Sequence, residues 1–170
     1  MEQHSIASEN SEHHWLHFHP KGKVVLDLGC GRHDTHQVEH HSPTYFLQQG
    51  ALKVLAIDTR QSEVDYFNDL NMENLEARAM FIDNVDTVKN LLNEIQATAL
   101  KCDIEAYETV LYNLNSEDME LITELAIEYH TEDIRENIMN KIKEWGFDIV
   151  AEGKFGFVHA PQMGVWFARK

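Results

Sequence analysis

At 170 residues with 43% hydrophobic content, the chain is long enough for one domain with a substantial core, and little room for accessories is expected. Its formal charge of −15, from 14 basic against 29 acidic side chains, lacks the clustered Lys and Arg of a large nucleic-acid footprint, so nucleic acid and other polyanions are unexpected partners. No apolar run near the start reads as a signal peptide and none reaches membrane-spanning length, so the expected compartment is the cytoplasm, with no membrane partner and with Cys30 and Cys102 as reduced core residues.

Residues 1–22 are polar and unperiodic, rich in Ser, Glu and His. They read as a tail, or as a lid in which Trp15 and Phe18 order over a ligand, and the domain proper is expected over 23–170. An apolar β-type run at 24–28 opens that domain. Residues 42–50 suit a helix, with Pro43 in its first turn and Gly50 as its cap. A second strand is expected over 54–57, a helix over 61–70, a third strand over 77–82, and a helix over 85–95 with Val88, Leu91, Leu92 and Ile95 along one face. Residues 100–103 read as a fourth strand, 107–114 as a short helix, 125–129 as a fifth strand and 132–145 as a long helix. Two further runs, 147–152 and 165–168, form a hairpin pair. Alternating strand and helix followed by a hairpin predicts an α/β fold with a mostly parallel sheet, an antiparallel C-terminal hairpin and helices on both faces.

The stretch Val24-Val25-Leu26-Asp27-Leu28-Gly29-Cys30-Gly31-Arg32 ends a buried strand in an acid and two glycines one residue apart. Such a turn admits positive φ and lets a ligand approach bare backbone. Asp27 is placed to reach a polar ligand group, and Cys30 to pack a small side chain against it. The run Val54-Leu55-Ala56-Ile57 ends in Asp58, 31 residues after Asp27, about one β-α-β unit later and in a position suited to ribose hydroxyls, with Thr59 beside it. After Gly31 come Arg32, His33 and Asp34 rather than the small residue that a pyrophosphate-binding turn requires.

This spacing resembles the first motif and following acidic position of class I S-adenosylmethionine-dependent methyltransferases, which implies a Rossmann-like α-β-α sandwich and adenosylmethionine as cofactor. Further along, Ala99-Leu100-Lys101-Cys102-Asp103-Ile104-Glu105-Ala106-Tyr107-Glu108 resembles the Leu-Lys-x-Asp-x-Glu-Gly-x-Glu signature of FkbM-family methyltransferases. Val85 to Leu92 is similar to the segment ahead of that signature, Glu124 to His130 to the acidic strand ending near histidine, and Trp145-Gly146-Phe147 to the Gly-Phe before the last strand pair. The likeness is collinear over about residues 23–170. It departs at Ala106, where the family has glycine, and at His33, where many methyltransferases carry a third glycine.

The resemblance implies that Asp27, Gly29, Cys30 and Gly31 line the methionine side of the cofactor, that Asp58 and Thr59 face the ribose, and that Asp83 and Asn84 face the adenine amino group. An acid in the position of Asp83 equally suits a helix N-cap. Asp103, closing a buried strand, needs a partner there and is a candidate for both cofactor contact and catalysis. Asp103, Glu105 and His130 are the candidate catalytic groups, one of them taking a proton from the acceptor. Glu108 reads as a solvated residue of a first helical turn. His13, His14, His17 and His19 form one cluster, and His33, His36, His40 and His41 another, with His36 and His40 at helical i, i+4 spacing. Neither carries a zinc motif, so they read as solvated loops; the alternative is a divalent metal held by that pair with Asp103.

The implied activity is O-methylation of a hydroxyl on a sugar or other small metabolite. The alternatives are methylation of a protein or nucleic acid, and a non-catalytic adenosylmethionine-binding or interaction module that retains the fold. The short chain leaves few residues for an acceptor pocket, which a second copy in a homo-oligomer could complete.

Overall fold

The computed structural model describes residues 2–6, 15–31, 41–155 and 162–170. In chain order the elements are β1 (Glu2–Ile6), β2 (Val24–Leu28), α1 (Ser42–Gln48), β3 (Lys53–Asp58), α2 (Gln61–Asp69), β4 (Leu75–Ala79), α3 (Val85–Ile95), β5 (Ala99–Cys102), a 3-10 helix (Glu108–Asn113), β6 (Glu124–Tyr129), α4 (Glu132–Glu144), β7 (Asp148–Phe155) and β8 (Gly164–Arg169). The eight strands form one sheet in the order β1-β7-β8-β6-β5-β2-β3-β4. All neighbours are parallel except β8, which runs antiparallel to both β6 and β7. The expected α/β fold with a C-terminal antiparallel hairpin is what forms.

Strand periodicity divides the core into two layers, because successive side chains point to opposite faces. Leu26, Leu28, Leu55, Ile57, Leu100, Leu125 and Ile127 face α3, α4 and the 3-10 helix, where Val88, Leu91, Ile138 and Ile142 meet them. Val25, Val54, Ala56, Ala99 and Ala126 face the other way, against Phe46 of α1 and Val64 and Phe67 of α2. The helical spacing read at Val88, Leu91 and Leu92 thus marks a buried face.

From β2 the chain winds outward through β3 to β4, then crosses back to β5 on the other side of β2. The crevice beyond the carboxyl ends of β2 and β5 is therefore the topological switch point, where open α/β sheets bind ligands. No helix among the described residues is long and apolar enough to cross a membrane.

Three expectations are corrected. The first 22 residues contribute more than a tail or lid: Glu2–Ile6 pairs in parallel with β7, and Trp15 and Phe18 are core rings whose centroids lie 5.7 and 4.8 Å from that of Phe46. Polar composition hid this, since an edge strand is held by backbone pairing and the burial rests on two large rings. The strand expected over 77–82 is Leu75–Ala79, because its partner β3 ends at Asp58, opposite Ala79. Residues 80–82 instead run along the crevice. The expected helix over 107–114 is a tight 3-10 helix.

Candidate functional site

The turn after β2 is fixed from both sides. The Gly29 and Cys30 amides donate to the Ile57 carbonyl at 2.8 and 3.1 Å, and the Asp103 amide donates to the Leu28 carbonyl at 2.9 Å. Gly29 has φ +79°, and a Cβ there would overlap the Asp103 carbonyl oxygen. Glycine is required both by the left-handed backbone and by this close approach. A Cβ on Gly31 would meet the Arg60 guanidinium and stand 3.1 Å from an Asp58 carboxylate oxygen.

Beyond this turn lies a cavity of about 470 Å³. Gly29, Gly31, Asp58, Asp103, Glu105 and His130 contribute its polar lining, and Ile57, Met80, Phe81, Ile82 and Tyr107 its apolar lining, with Thr59 at the wall. Its size lies within the usual range for a small-molecule site, roughly 300–1,000 Å³. Asp58 is buried, and its Oδ1 accepts from the Arg60 amide at 2.8 Å and from Arg60 Nε at 3.1 Å, while Nη2 lies 3.4 Å from Oδ2. The guanidinium thus covers the carboxylate expected to face ribose, although the Arg60 side chain remains 56% exposed.

At the opposite end, His130 Nε2 lies 3.7 Å from Asp103 Oδ1 and 3.5 Å from Glu105 Oε2. Its other ring nitrogen, Nδ1, is 3.1 Å from Glu108 Oε1, which also accepts from the Ile104 amide at 3.1 Å. Glu108 is fully buried. Its expected role as a solvated first-turn residue is thereby corrected, because the 3-10 helix turns it inward toward His130. Burial pushes the Asp103 carboxyl up to about 8, Glu128 adding to the shift while Lys101 and His130 oppose it. Burial works to lower His130, but the Glu108 and Asp103 carboxylates outweigh it and carry the imidazole up to about 9. Glu105 and Ala106 have φ of 55° and 72°, two successive non-glycine residues in the left-handed region.

Asp27 and Cys30 do not line the cavity. Asp27 is fully buried, accepts from Ser42 Oγ at 2.6 Å and pairs with Lys101 Nζ at 3.1 Å. Lys101 also donates to the Gly29 carbonyl at 2.5 Å, and its ammonium stands 5.4 Å from the Trp15 ring centroid. Burial would lower the Lys101 pKa, but Asp27, Asp103 and Glu128 raise it overall and keep the ammonium charged. Cys30 is a buried free thiol whose pKa burial pushes up. Asp83 and Asn84 are exposed: Asn84 Oδ1 caps α3 by accepting from the Thr87 amide at 2.9 Å, and Asn84 Nδ2 donates to Asp83 at 2.8 Å. The His36 and His40 pair, with His33, His13 and His14, falls outside the described residues, whereas His41 is buried beside α1.

Sequence reasoning missed Arg60, Lys101 and the inward role of Glu108. The signal for Lys101 was present: a lysine inside the apolar strand Ala99–Cys102 requires a carboxylate partner, and Asp27 closes the neighbouring strand.

No protein-family model matches the chain, and no curated protein matches it in sequence. Among solved structures it is similar to a candidate tRNA (m1A22) methyltransferase from Streptococcus pneumoniae in complex with S-adenosyl-L-methionine, with 14% identity and a TM-score of 0.63 over 96% of this chain and 73% of that one. An rRNA methylase from Streptococcus thermophilus gives 15% identity and a TM-score of 0.59 over 91% of this chain and 90% of that one. A protein of the NADB-Rossmann superfamily from Streptococcus agalactiae gives 12% and 0.60 over 88% of this chain; the chain spans 63% of that protein's length. The fold is thus a Rossmann-like one, shared with these methyltransferase structures.

Proposed function

We propose that the protein is an adenosylmethionine-dependent methyltransferase, similar to the FkbM family, that O-methylates a hydroxyl of a sugar or other small metabolite in the cytoplasm. The observation that carries this reading is the placement of Asp58, at the carboxyl end of β3 beside the Gly29–Gly31 turn, on a cavity whose far wall holds Asp103, Glu105 and His130. The donor set fits the cofactor: bare backbone at the two glycines, a carboxylate for ribose hydroxyls, and Ile57, Met80 and Ile82 as apolar surface for adenine. One group has to move, since Arg60 covers Asp58, and its exposed side chain is free to turn outward.

When bound, adenosylmethionine supplies an electrophilic methyl group on a sulfonium. The chain's own task is then to position the acceptor, which supplies most of the rate in an in-line displacement. Asp103, Glu105 and His130 orient the acceptor hydroxyl, and one of them receives its proton. The likeness to FkbM signatures is supported by Ala106, because its φ of 72° is a conformation that glycine adopts without strain.

Arg60 on Asp58 favours a second reading, a non-catalytic module that keeps the fold and fills its ribose site with its own side chain. Calorimetric titration with adenosylmethionine separates the two. Micromolar binding that weakens tenfold or more in Asp58→Ala, about 1.4 kcal/mol, supports the methyltransferase. Absence of binding by the folded parent chain overturns it.

A further inference from the structure

We infer that Asp103, Glu105 and His130 form a divalent-cation site at the acceptor end of the cleft. One donor atom from each residue lies within 4.8 Å of the other two. His130 Nε2 is 3.7 Å from Asp103 Oδ1 and 3.5 Å from Glu105 Oε2. Ligands held about 2.1 Å from one ion stand roughly 3.0–3.4 Å apart at octahedral or tetrahedral angles, so an inward shift of a few tenths of an ångström closes these two pairs around a cation. Glu105 is free to supply that movement, its side chain being 87% exposed. One imidazole with two carboxylates suits a transition cation such as Mn2+ or Co2+.

Three further features converge on this site. The first is Glu108, fully buried, which stands 3.1 Å from His130 Nδ1 and is itself held by the Ile104 amide, so that Nε2 is presented to the two carboxylates. A carboxylate behind the distal nitrogen is the usual support of a metal-binding histidine. The second is Asp103 Oδ1, a buried oxygen with no hydrogen-bond partner that faces Nε2. An oxygen of this kind is costly unless a cation reaches it.

The third feature is charge. Asp103, Glu105, Glu108 and Glu128 gather around His130, while the nearest ammonium, Lys101, is 3.8 Å from Asp103 and closer, at 3.1 Å, to Asp27. Four carboxyl groups thus gather around one imidazole and share one ammonium, and a divalent ion offsets that imbalance. The left-handed backbone at Glu105 and Ala106 bends the β5 loop back on itself and brings the Glu105 carboxylate to His130. Stored strain of this kind concentrates at ligand sites.

Three protein donors leave coordination positions for two oxygens of an acceptor, which points to a substrate with vicinal hydroxyls. Only this last step rests on the methyltransferase reading; the cation site stands without it. The test uses the full chain, stripped with chelator and titrated with Co2+ in the absence of adenosylmethionine. Binding is followed by calorimetry and by the visible absorption of the bound ion. The expected result is one equivalent bound, weakened tenfold or more in both Glu105→Gln and His130→Gln and unchanged in Asp58→Ala. Circular dichroism establishes that each variant is folded, and the exposed Glu105 position keeps the test decisive should His130→Gln fail to fold. No stoichiometric binding by the folded parent, or binding that survives unchanged in Glu105→Gln, overturns the inference. Loss of adenosylmethionine binding alone would overturn the cofactor reading and leave the cation site standing.

Discussion

Lys101 Nζ lies 3.1 Å from the Asp27 carboxylate, the two residues standing opposite each other in register on β5 and β2 with neither exposed to solvent. The pair bridges the two strands that flank the switch point, under the Trp15 ring. Removing one partner leaves the other charge buried and uncompensated, which costs about 3–5 kcal/mol. Lys101→Met and Asp27→Leu are each expected to destabilise the fold by that amount in urea denaturation, and the double variant to recover much of the loss. Two additive losses would show that the ion pair is not what holds these residues.

Arg60 and the cofactor ribose compete for one carboxylate in the proposed complex. Arg60→Ala is therefore expected to raise adenosylmethionine affinity several-fold, opposite in sign to Asp58→Ala. Calorimetry reads both, and weaker binding by Arg60→Ala would identify the guanidinium as a ligand contact rather than a competitor.

Ala106 is exposed and has φ of 72°. An L-residue pays about 1 kcal/mol for that conformation, which glycine does not. Ala106→Gly should raise the unfolding free energy by about 1 kcal/mol, read as a higher urea midpoint with an unchanged slope. A lower midpoint would show that the added freedom of the unfolded glycine chain outweighs the relief of strain.

Glu152 accepts from Tyr129 Oη and Arg135 Nε, both at 2.7 Å. Burial pushes its carboxyl up, but the hydrogen bonds from Arg135 and Tyr129 outweigh burial and hold it below the usual carboxylate range. A carboxyl lowered in the folded state stabilises at pH values above its unfolded pKa of about 4.3, and that contribution disappears as pH falls through the folded value. Melting temperatures between pH 7 and pH 3 should accordingly fall more steeply in the parent than in Glu152→Gln. Parallel curves would remove this site from the acid limb.

Much of the fold was legible because strand runs of apolar residues and helical spacing at Val88, Leu91 and Leu92 are local signals. Asp58, Asp103 and His130 were legible as acids and a histidine at strand ends, and they converge on one cavity. Asp27 carried the same signal but is turned to the face shared with Lys101, a distinction of strand neighbours that one stretch of sequence does not contain. Asp83 and Asn84 were separated from the cavity by the early end of β4, set by the length of β3. Glu108 was hidden by the choice between an α-helical turn and a 3-10 turn, which decides whether its carboxylate meets water or His130.

β8 follows every other element in sequence, yet it lies between β6 and β7 and buries Trp166 and Phe167 on opposite faces of the sheet. During synthesis, everything from β2 to β6 can leave the ribosome while β6 still presents an open edge. Such an edge is a template for pairing with other chains. Pairing of residues 164–169 with β6 and β7 is thus a late, long-range event, and until it occurs the β6 edge stands open to other chains.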